Sequence, residues 1–588
     1  MTATKLKPVD VVTVGVGLTG SIMGKELADA GLKVVGLERG PHRDTHPDFD
    51  MPGVHDELRY ARRFELMQDL SRETITFRNA PTGTALPMRQ LGSFLPGEGL
   101  GGAAAHWSGI TWRFLPWDFE TRSRTIARYG NGALAADCTS QDWGVSYAEL
   151  EPHFDRFERL FGIGGKAGNL RGEIQEGGNP FEGPRARDYP NPPSPESYAG
   201  ALFSQATRSL GYRPFPVPTA NMTRAYTNPY GLTMGPCVYC GYCQNFGCEM
   251  GAKASPQTAV LPALLGQPNY ELRTLANVLR VNLDSERRRA VSVSYVDARG
   301  REYEQPAELV LLTSYVFGNV RHMLLSGIGR PYDPVTNQGV VGRNYAYQSI
   351  SGVTAFFEDK VFNSFMGAGA LGRSIDEFNG DNFDHAGLGF IGGAFIACGS
   401  TGGSRLDSQA VPPGTPAWGS GWKKAVARYH DRSLTVRVHG AVQSYRSNYL
   451  DFDPTYRDAY GQPLLRMTFD FHDNERRMSD YLTTKAEEIA RALGPSAISS
   501  LRRTGRYSIV PYQSTHNTGG AVMGTDPTTS AVNTYLQSWD VPNVFAVGAS
   551  AFPQNSAHNP TGTVGALTLR ALDAIKSRYL KRPGPLAG

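Results

Sequence analysis

The chain opens on an apolar run, Val9 to Val14, followed by a glycine-rich turn, an amphipathic stretch over about 21–30 and a second apolar run over 33–37. This order predicts strand, turn, helix, strand, which is a βαβ unit at the start of a nucleotide-binding fold. Further apolar runs at Tyr270 to Arg273, Val278 to Asn282, Ala290 to Val296 and Leu309 to Leu312 predict strands that rejoin the first domain. Residues 161–218 are rich in Gly, Pro and Asn with little periodicity, and are expected to run over the surface without a core of their own. From about 345 to 509 the chain turns aromatic and strand-like, with helical periodicity around Asn474 to Leu493. That predicts a separate antiparallel sheet backed by helices, the expected substrate domain. A last strand, Val544 to Val547, and a final helix from about Thr563 to Tyr579 are expected to close onto the first domain. The fold class is α/β with an α+β second domain. Its first domain is discontinuous (1–160, 219–344 and 510–588), 161–218 is an excursion, and 345–509 is the substrate domain.

A length of 588 residues exceeds one ordinary core, so several packed units are expected. The 67 glycines and 39 prolines imply many turns and ordered loops. A net charge of +4 without a basic block excludes a nucleic-acid partner. No apolar run reaches the roughly 18–20 residues of a membrane span. The segment before Val9 has lysines but no apolar stretch, so no signal peptide is expected on this polypeptide, and export would need another carrier.

Gly15, Gly17 and Gly20 form G-x-G-x-x-G between a predicted strand and helix, and Glu38 ends the next strand. The first glycine allows a tight turn, the second lets backbone approach a pyrophosphate, and the third lets helix and strand pack closely. The helix N-terminus offers N–H groups to phosphate, and the acid can accept from a ribose hydroxyl. FAD and NAD are not separated by this motif.

Cys237, Cys240, Cys243 and Cys248 read C-x2-C-x2-C-x4-C, close to the spacing by which one loop wraps an iron-sulfur cluster. A zinc site, usually built from two well-separated C-x-x-C knuckles, and free or disulfide-paired thiols are the alternatives. Cys138 and Cys398 are isolated and read as inert core thiols.

With these motifs placed, the chain resembles the glucose-methanol-choline oxidoreductase family over nearly its whole length. The segments that carry the likeness are GVGLTGSIM at the start, LPGEGLGGAAAHWSG around His106, GPCVYCGYC, LLSGIG at 324–329, VVGRN at 340–344, THNTGGAVMGTD at 515–526 and NPTGTV at 559–564. The resemblance implies FAD, lying along Gly99, Gly101 and Gly102, with its ribityl end near Gly548, Ala549 and Thr561 and its adenine near Val278. It implies that His106 either bonds the flavin covalently or hydrogen-bonds beside its ring. It also implies a complex with a small subunit bearing a twin-arginine export signal and a multihaem cytochrome c, held at the periplasmic face of the inner membrane without a span of its own. The cluster type, 3Fe-4S or 4Fe-4S, stays open because relatives with a different cysteine pattern use three of theirs.

Oxidising an alcohol carbon requires a base within reach of its hydroxyl, and His516 in its THNTGG frame is the expected catalytic base with Asn559 as partner. His558 beside Asn559 is the alternative substrate contact. The resemblance implies oxidation of the C2 hydroxyl of D-gluconate to 2-dehydro-D-gluconate, with electrons leaving through the cluster to the cytochrome. Rivals are the same chemistry on 2-dehydrogluconate, sorbitol, fructose or a glycoside, and, in another class, an electron-transfer subunit without turnover. A carboxylate substrate calls for a cation, and Arg446 is the candidate.

Overall fold

The computed structural model describes residues 3–50, 63–363, 366–400 and 410–586. Strands β1 (Val9–Val14), β2 (Val34–Leu37), β3 (Tyr270–Arg273), β4 (Asn277–Leu283), β5 (Ala290–Val296) and β6 (Glu302–Leu312) build the first sheet in the order β3-β2-β1-β6-β5-β4. Its β3, β2, β1 and the end of β6 run parallel, whereas β6, β5 and β4 form an antiparallel arm. Val11, Val12 and Val14 of β1 are all fully buried, the continuous apolar pattern of a strand covered on both faces. Helix α1 (Leu18–Asp29) follows β1 through the glycine turn. A Cβ on Gly20 would stand 2.1 Å from the Gly15 carbonyl oxygen, so only glycine lets helix and turn pack this closely.

The second sheet joins β7 (Ser349–Phe356), β8 (Gly372–Ile375), β9 (Ala394–Gly399), β10 (Ser433–Gly440) and β11 (Ala497–Leu501) in the order β11-β7-β10-β9-β8, antiparallel throughout. Helix α2 (Asp473–Ala492) packs Met478, Leu482, Ala486 and Ile489 onto one face, against Leu434, Val436 and Val438 of β10. The opposite face of β10 carries Thr435, Arg437 and His439. The chain then returns through β12 (Val544–Ala546), which pairs with β6, and ends on α3 (Thr561–Ala574) against the first core.

Two boundaries differ from the sequence expectation. Residues 161–218 are not coreless: a helix at Tyr198–Ser209 buries Ala199, Phe203 and Ala206 in the core of the second sheet, and Phe215–Pro216 pairs with β8. Its apolar positions lie three to four apart, a helical period obscured by the surrounding glycine and proline. The hairpin of Tyr449–Arg457 and Pro463–Thr468 pairs with Ile75–Arg78 and buries Leu450, Leu465 and Met467 in the first core, although it lies inside the 345–509 segment.

Candidate active site

The N-terminal turn and the loop at 97–106 close on each other. Gly101 N–H donates to the Val16 carbonyl (2.9 Å), and Gly101 and Gly102 adopt φ of +89° and +55°. A Cβ on Gly17 would meet nothing nearer than Gly102 Cα at 3.8 Å, and one on Gly548, at φ +126°, would meet nothing within 4 Å. Room is thus open at the α1 N-terminus, which has no side-chain cap, and at Gly548, which precedes Ala549; Thr561 opens α3. Glu38, buried at the end of β2, accepts from Val16 N–H (3.0 Å) and Gly40 N–H (2.9 Å). Burial pushes its carboxyl above the usual range. Ala276 N–H donates to the Glu38 carbonyl, which brings Val278 of β4 to the same end. Uncapped helix N–H groups, open glycines and a held acid in this order fit a dinucleotide. His106, at the inner end of the loop, is 3% exposed and its Nε2 has no partner among the described residues. Burial, then the charge of Lys253, lowers it to about 3, so its imidazole is neutral.

His516 and Asn559 stand side by side, Asn559 Nδ2 lying 3.1 Å from His516 Nε2. Their neighbours assign every hydrogen. Trp112 Nε1 donates to Asn559 Oδ1 (2.9 Å), which turns the amide nitrogen toward the histidine. Gln348 Nε2 donates to the Ala557 carbonyl (2.5 Å), so its Oε1 faces His516 Nδ1 (2.6 Å) and accepts from it. The proton of neutral His516 therefore sits on Nδ1, and Nε2 presents a lone pair. Desolvation lowers His516 to about 4, which keeps it neutral at physiological pH.

His558 faces elsewhere. It is 1% exposed and stacks on Trp112 (4.6 Å between centroids, 7° between planes). Its Nδ1 pairs with the Arg113 carbonyl (3.1 Å) and its Nε2 with Asp376 (3.1 Å). Burial alone lowers a histidine, but the Asp376 carboxylate outweighs it and raises His558 above its ordinary value. Both ring nitrogens are thus committed, and His558 supports the Trp112 that orients Asn559. Arg446 is likewise committed: its guanidinium donates to the carbonyls of Pro334 (2.5 Å) and Val335, and its backbone N–H donates to Asp137. It fastens a peripheral loop, and this geometry replaces the sequence expectation of a carboxylate-binding Arg446. Trp112 and Gln348 escaped sequence reading. A lone glutamine carries no pattern, although the tryptophan stands six residues after His106.

The four clustered cysteines lie on a loop stitched to the His106 segment. Asn245 N–H donates to the His106 carbonyl (2.8 Å), and the buried Lys253 ammonium donates to the carbonyls of Trp107 (2.6 Å), Cys243 (2.9 Å) and Phe246 (2.7 Å). No cysteine among the described residues forms a disulfide. The thiols lie near one another: burial, then the charges of Cys243, Cys248 and Cys240, push Cys237 up to about 12. Thiol donors suit an iron-sulfur cluster in chemistry. As placed, however, no group of three or more His, Cys, Asp or Glu side chains among the described residues is arranged to hold a metal ion. Cys398 is buried beside Ala199 and Cys138 is half-buried, both as isolated thiols.

Comparison with known proteins follows the same lines. Two models of the GMC oxidoreductase family match residues 192–349 and 444–568. The chain is 51% identical to the gluconate 2-dehydrogenase flavoprotein of Pantoea cypripedii, over 99% of this chain and 96% of that protein. It is 25% identical to the fructose dehydrogenase large subunit of Gluconobacter japonicus, over 96% and 97% of the two chains. The crystal structure of pyridoxine 4-oxidase from Mesorbium loti superposes with a TM-score of 0.59 at 16% identity, covering 97% of this chain and 99% of that one, and shares the fold.

Proposed function

The chain belongs to the glucose-methanol-choline (GMC) oxidoreductase family and is an FAD-dependent dehydrogenase acting on CH–OH groups, and from that premise we propose that it oxidises the C2 hydroxyl of D-gluconate to 2-dehydro-D-gluconate. The observation that carries the chemistry is the assigned hydrogen-bond chain Trp112–Asn559–His516–Gln348, which leaves His516 Nε2 as a base. The substrate rests on the likeness to the Pantoea cypripedii flavoprotein along the whole chain.

The residues divide the work as follows. Gly15, Gly17, Gly20 and the α1 N-terminus would hold the pyrophosphate, Glu38 a ribose hydroxyl, and Gly99, Gly101, Gly102, Gly548, Ala549 and Thr561 the rest of the FAD. Bound FAD supplies the acceptor for the hydride that leaves the alcohol carbon. His516 Nε2 takes the hydroxyl proton, and Gln348 Oε1 stabilises the imidazolium through Nδ1–H. Asn559 Nδ2 donates to the substrate oxygen and cannot compete for its proton, because its amide is turned by Trp112. His106 Nε2, buried and without a partner among the described residues, is the atom proposed to bond the flavin covalently.

We further propose that Cys237, Cys240, Cys243 and Cys248 hold an iron-sulfur cluster that would supply one-electron steps toward a cytochrome c subunit. Their C-x2-C-x2-C-x4-C spacing and the thiol chemistry of the four donors support this. The complex would include a small subunit carrying the export signal and would sit at the periplasmic face of the inner membrane. Among the described residues no helix is long and apolar enough to cross a membrane. The test is anaerobic mixing of the purified protein with a panel of sugar acids, polyols and glycosides while the oxidised-flavin absorbance is followed. D-Gluconate should bleach it fastest. A faster response to 2-dehydrogluconate, sorbitol or fructose would reassign the substrate, and no response to any would reject turnover by this chain.

A further inference from the structure

We propose that Arg437 is the group that binds the substrate's carboxylate, an inference that rests on the sugar-acid reading above and adds the residue that selects for the acid. With Arg446 tied to the Pro334 and Val335 carbonyls, the site needs another cation, because an ionised carboxylate brought out of water is stabilised by a positively charged donor.

Strand β10 supplies one. Its Leu434, Val436 and Val438 face α2, so Arg437 and His439 project from the other side of the sheet. That side faces the chemistry. His439 stacks on Phe395 (4.5 Å, 16°), and Phe395 packs against Trp112 (5.1 Å), the tryptophan that orients Asn559. The charges of His516, Arg437 and His558 all act on His439. Arg437 stands one side-chain repeat along the same face, roughly 7 Å between Cα atoms, within the reach of an arginine side chain.

Two features separate Arg437 from a structural arginine. Among the described residues its guanidinium makes no hydrogen bond and no ion pair, and none of their carboxylates acts on it, whereas Cys398 and Tyr512 do. Desolvation lowers its pKa, and among the described residues no carboxylate offsets its charge. Its immediate cross-strand surroundings are also small. Its cross-strand neighbours are Gly352 on β7 and Ala397 on β9, the two smallest side chains available. The nearby Arg503 has already given its Nε to the Ile350 carbonyl. A planar guanidinium with free donors matches a carboxylate in two-point geometry. A sugar acid with its reacting hydroxyl at His516 would turn its carboxylate along β10 toward Arg437.

The test compares Arg437→Gln and Arg437→Lys with the parent protein, each at verified FAD content and melting temperature. Apparent Kd values come from anaerobic flavin reduction by D-gluconate, by D-gluconamide and by D-sorbitol, which share the carbon chain but not the carboxylate. Arg437→Gln should weaken D-gluconate by about 10- to 100-fold, the loss of a charge-assisted contact. It should leave the two neutral compounds within about threefold, and Arg437→Lys should recover part of the loss. In the parent protein D-gluconamide should bind at least about tenfold more weakly than D-gluconate, a comparison that stands even if a variant misfolds. Equal losses for charged and neutral compounds, or unchanged D-gluconate affinity in Arg437→Gln, would overturn this assignment alone. A parent protein reduced by polyols but by no sugar acid would overturn the substrate reading and this inference with it.

Discussion

Gln348→Leu removes the group behind the proposed base while keeping a side chain of similar volume, and its effect can be worked from two contacts. Gln348 accepts from His516 Nδ1 at 2.6 Å and donates to Ala557 at 2.5 Å. Freeing the tautomer alone would divide the population between two forms and slow proton transfer only about twofold. The larger effect arises as the reaction proceeds. When Nε2 accepts the hydroxyl proton the ring becomes cationic, and the Nδ1–H bond to Oε1 becomes charge-assisted, roughly doubling in strength. Losing a hydrogen bond to a charged group removes about 1.5–3 kcal/mol. That corresponds to a fall of roughly 10- to 150-fold in the limiting rate of flavin reduction. The assay is anaerobic stopped-flow reduction by D-gluconate from about pH 3.5, below the His516 value, to about pH 9. In the parent protein His516 sits at about 4, so the rate should be flat above about pH 5 and fall as pH drops through about 4, where the base becomes protonated. Gln348→Glu places a carboxylate at Nδ1, favours the imidazolium and should move this acid limb upward. A Gln348→Leu variant that keeps its rate within twofold, with a Gln348→Glu acid limb in the parent position, would refute this role.

The remaining expectations are quickly stated. Trp112→Phe frees the Asn559 amide to rotate and should lower the reduction rate by roughly 10-fold at unchanged flavin content; an unchanged rate would detach Trp112 from the site. Asp376→Asn should destabilise the fold by about 3–5 kcal/mol, because it leaves His558 buried without its charge partner. His558 is raised in the fold, so its pairing stabilises fully below about pH 6.5 and the stabilisation is lost as pH rises through the higher folded value. Unfolding experiments should therefore show a larger deficit at pH 6 than at pH 9. Iron and acid-labile sulfide should accompany the purified protein, and Cys243→Ser should lower both while substrate still reduces the flavin. Zinc without sulfide would reject the cluster. Acid precipitation should retain flavin on the protein in proportion to a covalent bond at His106, and His106→Ala should release it.

Much of this was legible where local pattern and local chemistry coincide. The strands at Val9–Val14 and Tyr270–Arg273 and the helix at Asp473–Ala492 follow their apolar spacing, and Gly15, Gly17, Gly20 and Glu38 converge as their spacing implies. His516 and Asn559, 43 positions apart, meet at 3.1 Å because the segment between them returns through β12 to the first sheet. Side chains whose roles depend on orientation were not legible. Gln348 differs from any other glutamine only in having Ala557 on one side and His516 on the other. Arg446 sits in an aromatic stretch that reads as a site, yet its guanidinium turns to loop carbonyls. Arg437 left a trace: Thr435, Arg437 and His439 alternate with Leu434, Val436 and Val438, a strand with polar residues on a face that the fold then turns inward.

The most direct measurement is the rate of anaerobic flavin reduction by D-gluconate in His516→Ala, with FAD content matched to the parent protein. Loss of the base should slow reduction by about 10²-fold or more while D-gluconate still binds. A variant that reduces its flavin at near the parent rate would show that proton removal occurs elsewhere and would contradict the assignment of His516.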